Sequence, residues 1–148
     1  MRPHITFHSS VSKVLGYLTQ SGKPGILRPS EPIGGTIPWL GHGPTLSHAQ
    51  RMPRPSGHAK NVLHVTLSLP DGMTADRPAW VEMAQMAIGG LGLPPRQIPW
   101  LAFRHRDTSC DHLHMMLMAA TFAGRPLLLP ICSTAASRCM CASAAISS

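Results

Sequence analysis

Between Asn61 and Leu69 apolar and polar positions alternate: Leu63, Val65, Leu67 and Leu69 fall on one side, Val62, His64, Thr66 and Ser68 on the other, and Pro70 ends the run. A period of two with β-branched residues predicts a strand. Upstream the period changes. After a short strand-like piece from His4, Val11, Val14, Leu15 and Leu18 recur at helical spacing behind Ser10, a suitable N-cap, with Tyr17 at the edge of the stripe. Beyond the turn at Asp71-Gly72, Thr74 to Leu91 reads as a helix with Ala79, Met83, Met86 and Ala87 on its apolar side and Gly89-Gly90 near its end. Two further strands, Ile98 to His105 and His112 to Ala120, are joined by the polar stretch RDTSCD and predict a hairpin. Residues 21–59 are broken by Gly and Pro and show neither period, so they read as a long loop with one short helix at about Leu46 to Met52.

A chain of 148 residues suits one domain. We place it at residues 1–127, because from 128 to 148 the sequence becomes rich in Ala, Ser and Cys without a period, as in a low-complexity, disordered tail. Aromatic content of 5% makes the core depend on aliphatic residues and Met. Thirteen Lys and Arg against six Asp and Glu give a net charge of +7, which favours a polyanionic partner such as nucleic acid. There is no apolar run of about 18 residues and no secretory signal at MRPHITFHSS, so a soluble, cytoplasmic protein without membrane insertion is expected. Cys110, Cys132, Cys139 and Cys141 form no CxxC pair and indicate neither a disulfide framework nor a zinc knuckle.

The most informative segment is the hairpin itself, which carries His105-x-Asp107 and then His112-x-His114. Residues two apart in a strand project to one face, so His112 and His114 point together, and hairpin pairing returns His105 to them. Three neutral imidazoles with coordination positions left open suit a divalent ion of the Mg, Mn, Zn or Ni set, a Lewis acid for a phosphoryl oxygen. Asp107, on the connection, can accept a ring N–H and fix a tautomer. Two plainer alternatives stand beside this: ordinary histidines in a chain that has nine, or a structural zinc site built from Cys110 and two of the histidines.

This cluster, with Leu113 as the hydrophobe, resembles the third motif of conjugative relaxases, the mobilisation nucleases of the histidine-hydrophobe-histidine endonuclease superfamily. The segment LHVTLSLPDGMT at 63–74, followed by a helix containing Trp80, is similar to the family's histidine-strand-Pro motif, and VLGYLTQSGKPG at 14–25 resembles its nucleophile motif. The resemblance implies an α+β fold, a mainly antiparallel sheet flanked by helices with the histidine hairpin at its centre. It also implies site- and strand-specific DNA nicking for plasmid or conjugative-element mobilisation. Tyr17, the chain's one tyrosine, would attack the scissile phosphate and leave a 5′-phosphotyrosine and a free 3′-hydroxyl. His105, His112 and His114 would hold Mg or Mn. Asp107 would orient a ligand or act as base, and Lys13 would help Tyr17 ionise. Lys13, Lys23, Arg28, Arg104 and Arg106 would contact phosphates of single-stranded DNA at a transfer origin, where accessory relaxosome proteins are possible partners. His64 is either a neighbour of the metal or a plain strand residue, and His4, His8, His42, His48 and His58 default to solvent.

Two departures accompany the resemblance. Met115-Met116-Leu117-Met118 follows the paired histidines where relatives carry a small polar residue and then Arg, and the tail follows closely, as in a C-terminally truncated or frameshifted copy. Two rival functions remain from the sequence: a catalytically degenerate single-stranded DNA-binding remnant, and a small non-nuclease metal-binding protein with H-x-H on a barrel strand, as in cupin-like oxygenases.

Overall fold

The computed structural model describes residues 3–20, 25, 29–55 and 60–127. The tail from 128 onward, with Cys132, Cys139 and Cys141, and the expected site residues Lys23 and Arg28 and the histidine His58 lie outside the described residues. Five strands and three helices follow in the order β1 (His4–His8), α1 (Val11–Thr19), β2 (Glu31–Gly35), α2 (His42–Gln50), β3 (Val62–Ser68), α3 (Arg77–Gly90), β4 (Trp100–His105) and β5 (His112–Met118). The strands form one antiparallel sheet in the order β1-β3-β5-β4-β2. The α+β class is as expected, and β5, with its histidines, is the central strand.

Helices cover both faces. On one, Trp80, Ala84, Ala87 and Ile88 of α3 pack on Leu63, Val65, Leu67, Leu113, Met115 and Leu117. On the other, Val11, Val14, Leu15 and Leu18 of α1 and Ala49 of α2 pack on Val62, Leu101, Phe103, Met116 and Met118. A strand buried on both faces loses the alternation of a half-exposed one. That explains the run Met115 to Met118, which departs from the relaxase pattern: it fills two cores at once, and every residue of β5 is buried.

Ser10 caps α1 as anticipated, accepting from the Lys13 backbone N–H at 3.2 Å. Three elements differ from expectation. Helix α3 starts at Arg77, not near Thr74, because Asp76 is the N-cap and accepts from the Ala79 N–H at 2.9 Å. Its buried stripe runs through Trp80, Ala84, Ala87 and Ile88, leaving Met86 exposed. Helix α2 occupies His42–Gln50 rather than Leu46 to Met52, since Pro44 is tolerated in a first turn, where its missing N–H has no helical partner to lose. Strand β2 lies within the expected loop. It is an edge strand with an irregularity between Pro32 and Gly34, the setting in which Pro is permitted. Gly35, at φ 149, is obligatory there: a Cβ would stand 2.2 Å from the Trp100 carbonyl oxygen of β4. Among the described residues no helix is long and apolar enough to cross a membrane.

Candidate active site

Strand register assembles the histidines. His105, the last residue of β4, pairs with His112, the first of β5, across the loop 106–111, and His114 follows two residues on along the α1 face. The ring centroids lie 5.6 Å (His105 to His112), 4.3 Å (His105 to His114) and 4.9 Å (His112 to His114) apart. One nitrogen from each ring lies within 4.8 Å of the others, and all three residues are buried.

Hydrogen bonds on the far side of each ring assign which nitrogen faces inward. His105 donates from Nε2 to the Leu18 carbonyl oxygen at 2.7 Å, which leaves Nδ1. His112 donates from Nδ1 to the Cys110 carbonyl oxygen at 2.9 Å, which leaves Nε2. His114 has His64 Nε2 at 2.8 Å and Thr66 Oγ1 at 3.2 Å from its Nδ1, which again leaves Nε2. Burial, and after it the neighbouring His8, His105 and His4, pushes the His64 pKa down to about 4, so at neutral pH His64 is an uncharged ring that can accept from His114. Three rings, each with its outward nitrogen engaged, fit a divalent ion well. The donors do not identify which ion.

Above this group stands Tyr17. Its ring is edge-on to His114 at 5.0 Å and to His64 at 5.2 Å, and lies 5.9 Å from His105, while 48% of the residue stays exposed. Asp107 reaches the site from the hairpin loop: Oδ1 lies 3.3 Å from His112 Nε2 and Oδ2 accepts from Gln20 Nε2 at 3.0 Å. The carboxylate therefore addresses the inward nitrogen of His112, and the tautomer of that ring is fixed by the Cys110 carbonyl instead. Cys110 turns its thiol to Asp71 Oδ1 at 2.7 Å and takes no part in the cluster of three.

A family model described as "Relaxase: MobA/VirD2-like, nuclease domain" matches residues 46–127, more than half of the chain. The chain belongs to the relaxase family. The match takes in β3, α3 and the whole histidine hairpin of this relaxase, whereas Tyr17 and α1 precede it. No curated protein and no solved structure matches the chain. Family membership makes the relaxase a DNA-nicking type of protein with a histidine-triad metal site.

The basic residues part company. Lys13 is exposed one helical turn before Tyr17. Arg106 is 43% exposed, pairs with Glu31 at 3.3 Å, and lines a cleft of about 350 Å³ with Thr108, Ser109, Cys110, Met73 and Thr74. Arg104 instead points to the α3 side and is buried, forking onto Asp111 through Nε and Nη2. Burial pushes the Asp111 carboxyl up, but the Arg104 fork and the Ala75 backbone N–H outweigh it, so its pKa lies below the usual value; the same hydrogen bond raises Arg104 further. Among the remaining described histidines His4 is exposed, and His8, His42 and His48 are half-buried, with Thr6 beside His8 and Thr19 beside His42.

Sequence reasoning left His64 open and did not single out Gln20, Thr66 or Asp111. The alternation in β3 carried a usable signal for His64 and Thr66, since both share the face of Val62, which packs against α1. Nothing local marks Gln20, whose place depends on how α1 ends.

Proposed function

We propose that this relaxase cuts one strand of DNA at a transfer origin through a tyrosine transesterification, and so mobilises a plasmid or conjugative element. The observation that carries this is that Tyr17, the only tyrosine in the chain, packs its ring against His105 and His114 of three converging histidines. The Tyr17 hydroxyl loses its proton and its oxygen bonds to the scissile phosphorus; the bond from phosphorus to the 3′ oxygen breaks, and that oxygen takes up a proton. The products are a 5′-phosphotyrosine and a free 3′-hydroxyl, and the covalent link conserves the phosphodiester energy for rejoining.

His105 Nδ1, His112 Nε2 and His114 Nε2 would hold the divalent ion, with Mg or Mn as the proposed identity. Such an ion supplies Lewis acidity toward a phosphoryl oxygen. Asp107 Oδ1, beside the inward nitrogen of His112, would serve as the base that takes a proton. Lys13 and Arg106 are exposed and would meet backbone phosphates. The DNA sequence and any accessory relaxosome proteins would set which origin is cut.

The test is incubation of the purified protein with labelled single-stranded origin-region DNA and Mn or Mg. The expected product is a protein–DNA adduct that survives denaturation, disappears with chelator and is absent in Tyr17→Phe. Folded, metal-loaded protein that binds the strand without forming an adduct would instead establish a non-cutting DNA binder.

A further inference from the structure

The last turn of α1 does more than carry Tyr17. It also fixes His105: the Leu18 carbonyl accepts from Nε2 at 2.7 Å, and the Gln20 carboxamide nitrogen stands 3.4 Å from the inward Nδ1. The same carboxamide donates to Asp107 Oδ2 at 3.0 Å, while Asp107 Oδ1 stands 3.3 Å from His112 Nε2. His105, Gln20, Asp107 and His112 thus form a continuous polar arc around the mouth of the triad. Gln20 is the link in that arc that belongs to the nucleophile's helix.

The backbone at this position argues that the side chain is kept for a purpose. Gln20 is the C-cap of α1 with φ 53 and ψ 32, the left-handed region, and the only non-glycine residue at positive φ among those described. Glycine or asparagine is the usual occupant, because a Cβ is disfavoured there. Gln20 is also 92% buried by its 8% exposure, and its Oε1 has no hydrogen-bond partner among the described residues. The amide cannot turn over to relieve that oxygen, since Oε1 facing Asp107 would set two acceptors against each other. A residue strained in its backbone and incompletely satisfied in its side chain is best explained by the carboxylate its nitrogen holds.

We propose that Gln20 is a positioning residue of the metal centre, holding Asp107 through its carboxamide and thereby locking the turn that presents Tyr17 to the triad. This rests on the triad being a metal site. Gln20 itself need touch neither substrate nor metal. Its N–H restrains the Asp107 carboxylate beside the inward nitrogen of His112, and removing it frees that carboxylate to move away from the geometry a metal requires.

Two variants separate this from a role in folding alone. Gln20→Met keeps the length and bulk but has no N–H, and Gln20→Gly removes the side chain while suiting the positive φ, so at least the second is expected to fold. Mn affinity by calorimetry, the visible spectrum of the Co-loaded protein and the melting temperature are measured for both beside the natural protein. The expected result is a loss of Mn affinity of about 10- to 100-fold and an altered Co spectrum in both variants, with Gln20→Gly still melting cooperatively. A natural protein that binds Mn alongside a folded variant with the same affinity and spectrum overturns the proposal and leaves the metal reading intact. A natural protein that binds neither Mn nor Co overturns the metal reading, and this proposal with it.

Discussion

His64 and His114 meet across the β3–β5 ladder with Nε2 and Nδ1 2.8 Å apart, although neither is the other's direct partner: His114 pairs with Thr66, and His64 with Met116. Diagonal neighbours in an antiparallel pair are within reach of long side chains. A neutral His64 can accept the His114 Nδ1 proton, the arrangement that turns His114 Nε2 inward. His64→Phe removes that acceptor while keeping a ring in a half-buried position. The expected outcome is a metal affinity lower by about 10- to 100-fold in a protein that still unfolds cooperatively, as calorimetry with Mn would read. Unchanged affinity would make His64 a strand residue only.

The ligand set makes a sharper division. His112→Ala and His114→Ala each remove an inward nitrogen and are expected to abolish stoichiometric Mn binding. Cys110→Ser is expected to leave it unchanged, because that thiol is directed at Asp71 and lies outside the group of three. Loss of metal in Cys110→Ser would revive a zinc site that uses the cysteine. Chelation of the natural protein should mimic the histidine variants while leaving far-ultraviolet circular dichroism in place, since the sheet is held by two apolar cores and not by the ion.

What could be read from the chain followed from strong local periods. Alternation in β3 and the stripe Val11, Val14, Leu15 and Leu18 in α1 each reported one buried face, and the spacing of His105, His112 and His114 contained its own geometry. Strand β2 was hidden because Pro32, Gly34 and Gly35 are turn residues by composition, yet an edge position and the close approach to Trp100 are what admit them. In α3 the stripe was misplaced toward Met86 because propensity says nothing about which side meets the sheet, and Trp80 decided that by filling the core. Arg104 was grouped with Arg106 as a phosphate contact, but residues two apart are on one side only if both are in the strand. Arg104 is inside β4 on the α3 face, and Arg106 is already in the loop. Its partner Asp111 lies seven residues away on the far side of that loop, where only the hairpin pairing brings them together.

The Arg104–Asp111 fork carries a stability prediction. Both side chains are more than nine-tenths buried, with exposures of 8% and 5%, and the pair anchors the base of the hairpin loop and the Ala75 N–H. Breaking one side of a buried pair costs about 3–5 kcal/mol, so Asp111→Asn should lower the urea midpoint markedly at pH 7. The folded-state pKa of Asp111 is depressed, hence its contribution is present above the ordinary value of 3.8 and is lost as pH falls through the lower folded value. The natural protein and Asp111→Asn should therefore differ most near neutrality and converge below that value. A gap that persists in strong acid would mean the substitution acts through packing and not through charge.

Arg106 offers the remaining test, in salt dependence. It is exposed at the rim of the hairpin loop, one residue before Asp107, and its ion pair with Glu31 is between two side chains each 43% exposed. Such a pair is worth about 0–1 kcal/mol, so it can exchange for a DNA phosphate at little cost. If the strand passes the loop on its way to Tyr17, Arg106→Ala should weaken single-stranded DNA binding for all sequences alike. It should also reduce the magnitude of the slope of log affinity against log salt by about 0.7, the single-strand value for one phosphate contact. Glu31→Gln, which frees the guanidinium and removes a negative charge that also stands 3.8 Å from Arg104 Nη1, should strengthen binding, and by more while Arg106 is present. Arg104→Ala, by contrast, should lower stability without a specific change in the salt slope of the molecules that remain folded. Equal slopes for the natural protein and Arg106→Ala would route the DNA away from this loop, leaving Lys13 beside Tyr17 as the described cation nearest the proposed nucleophile in sequence.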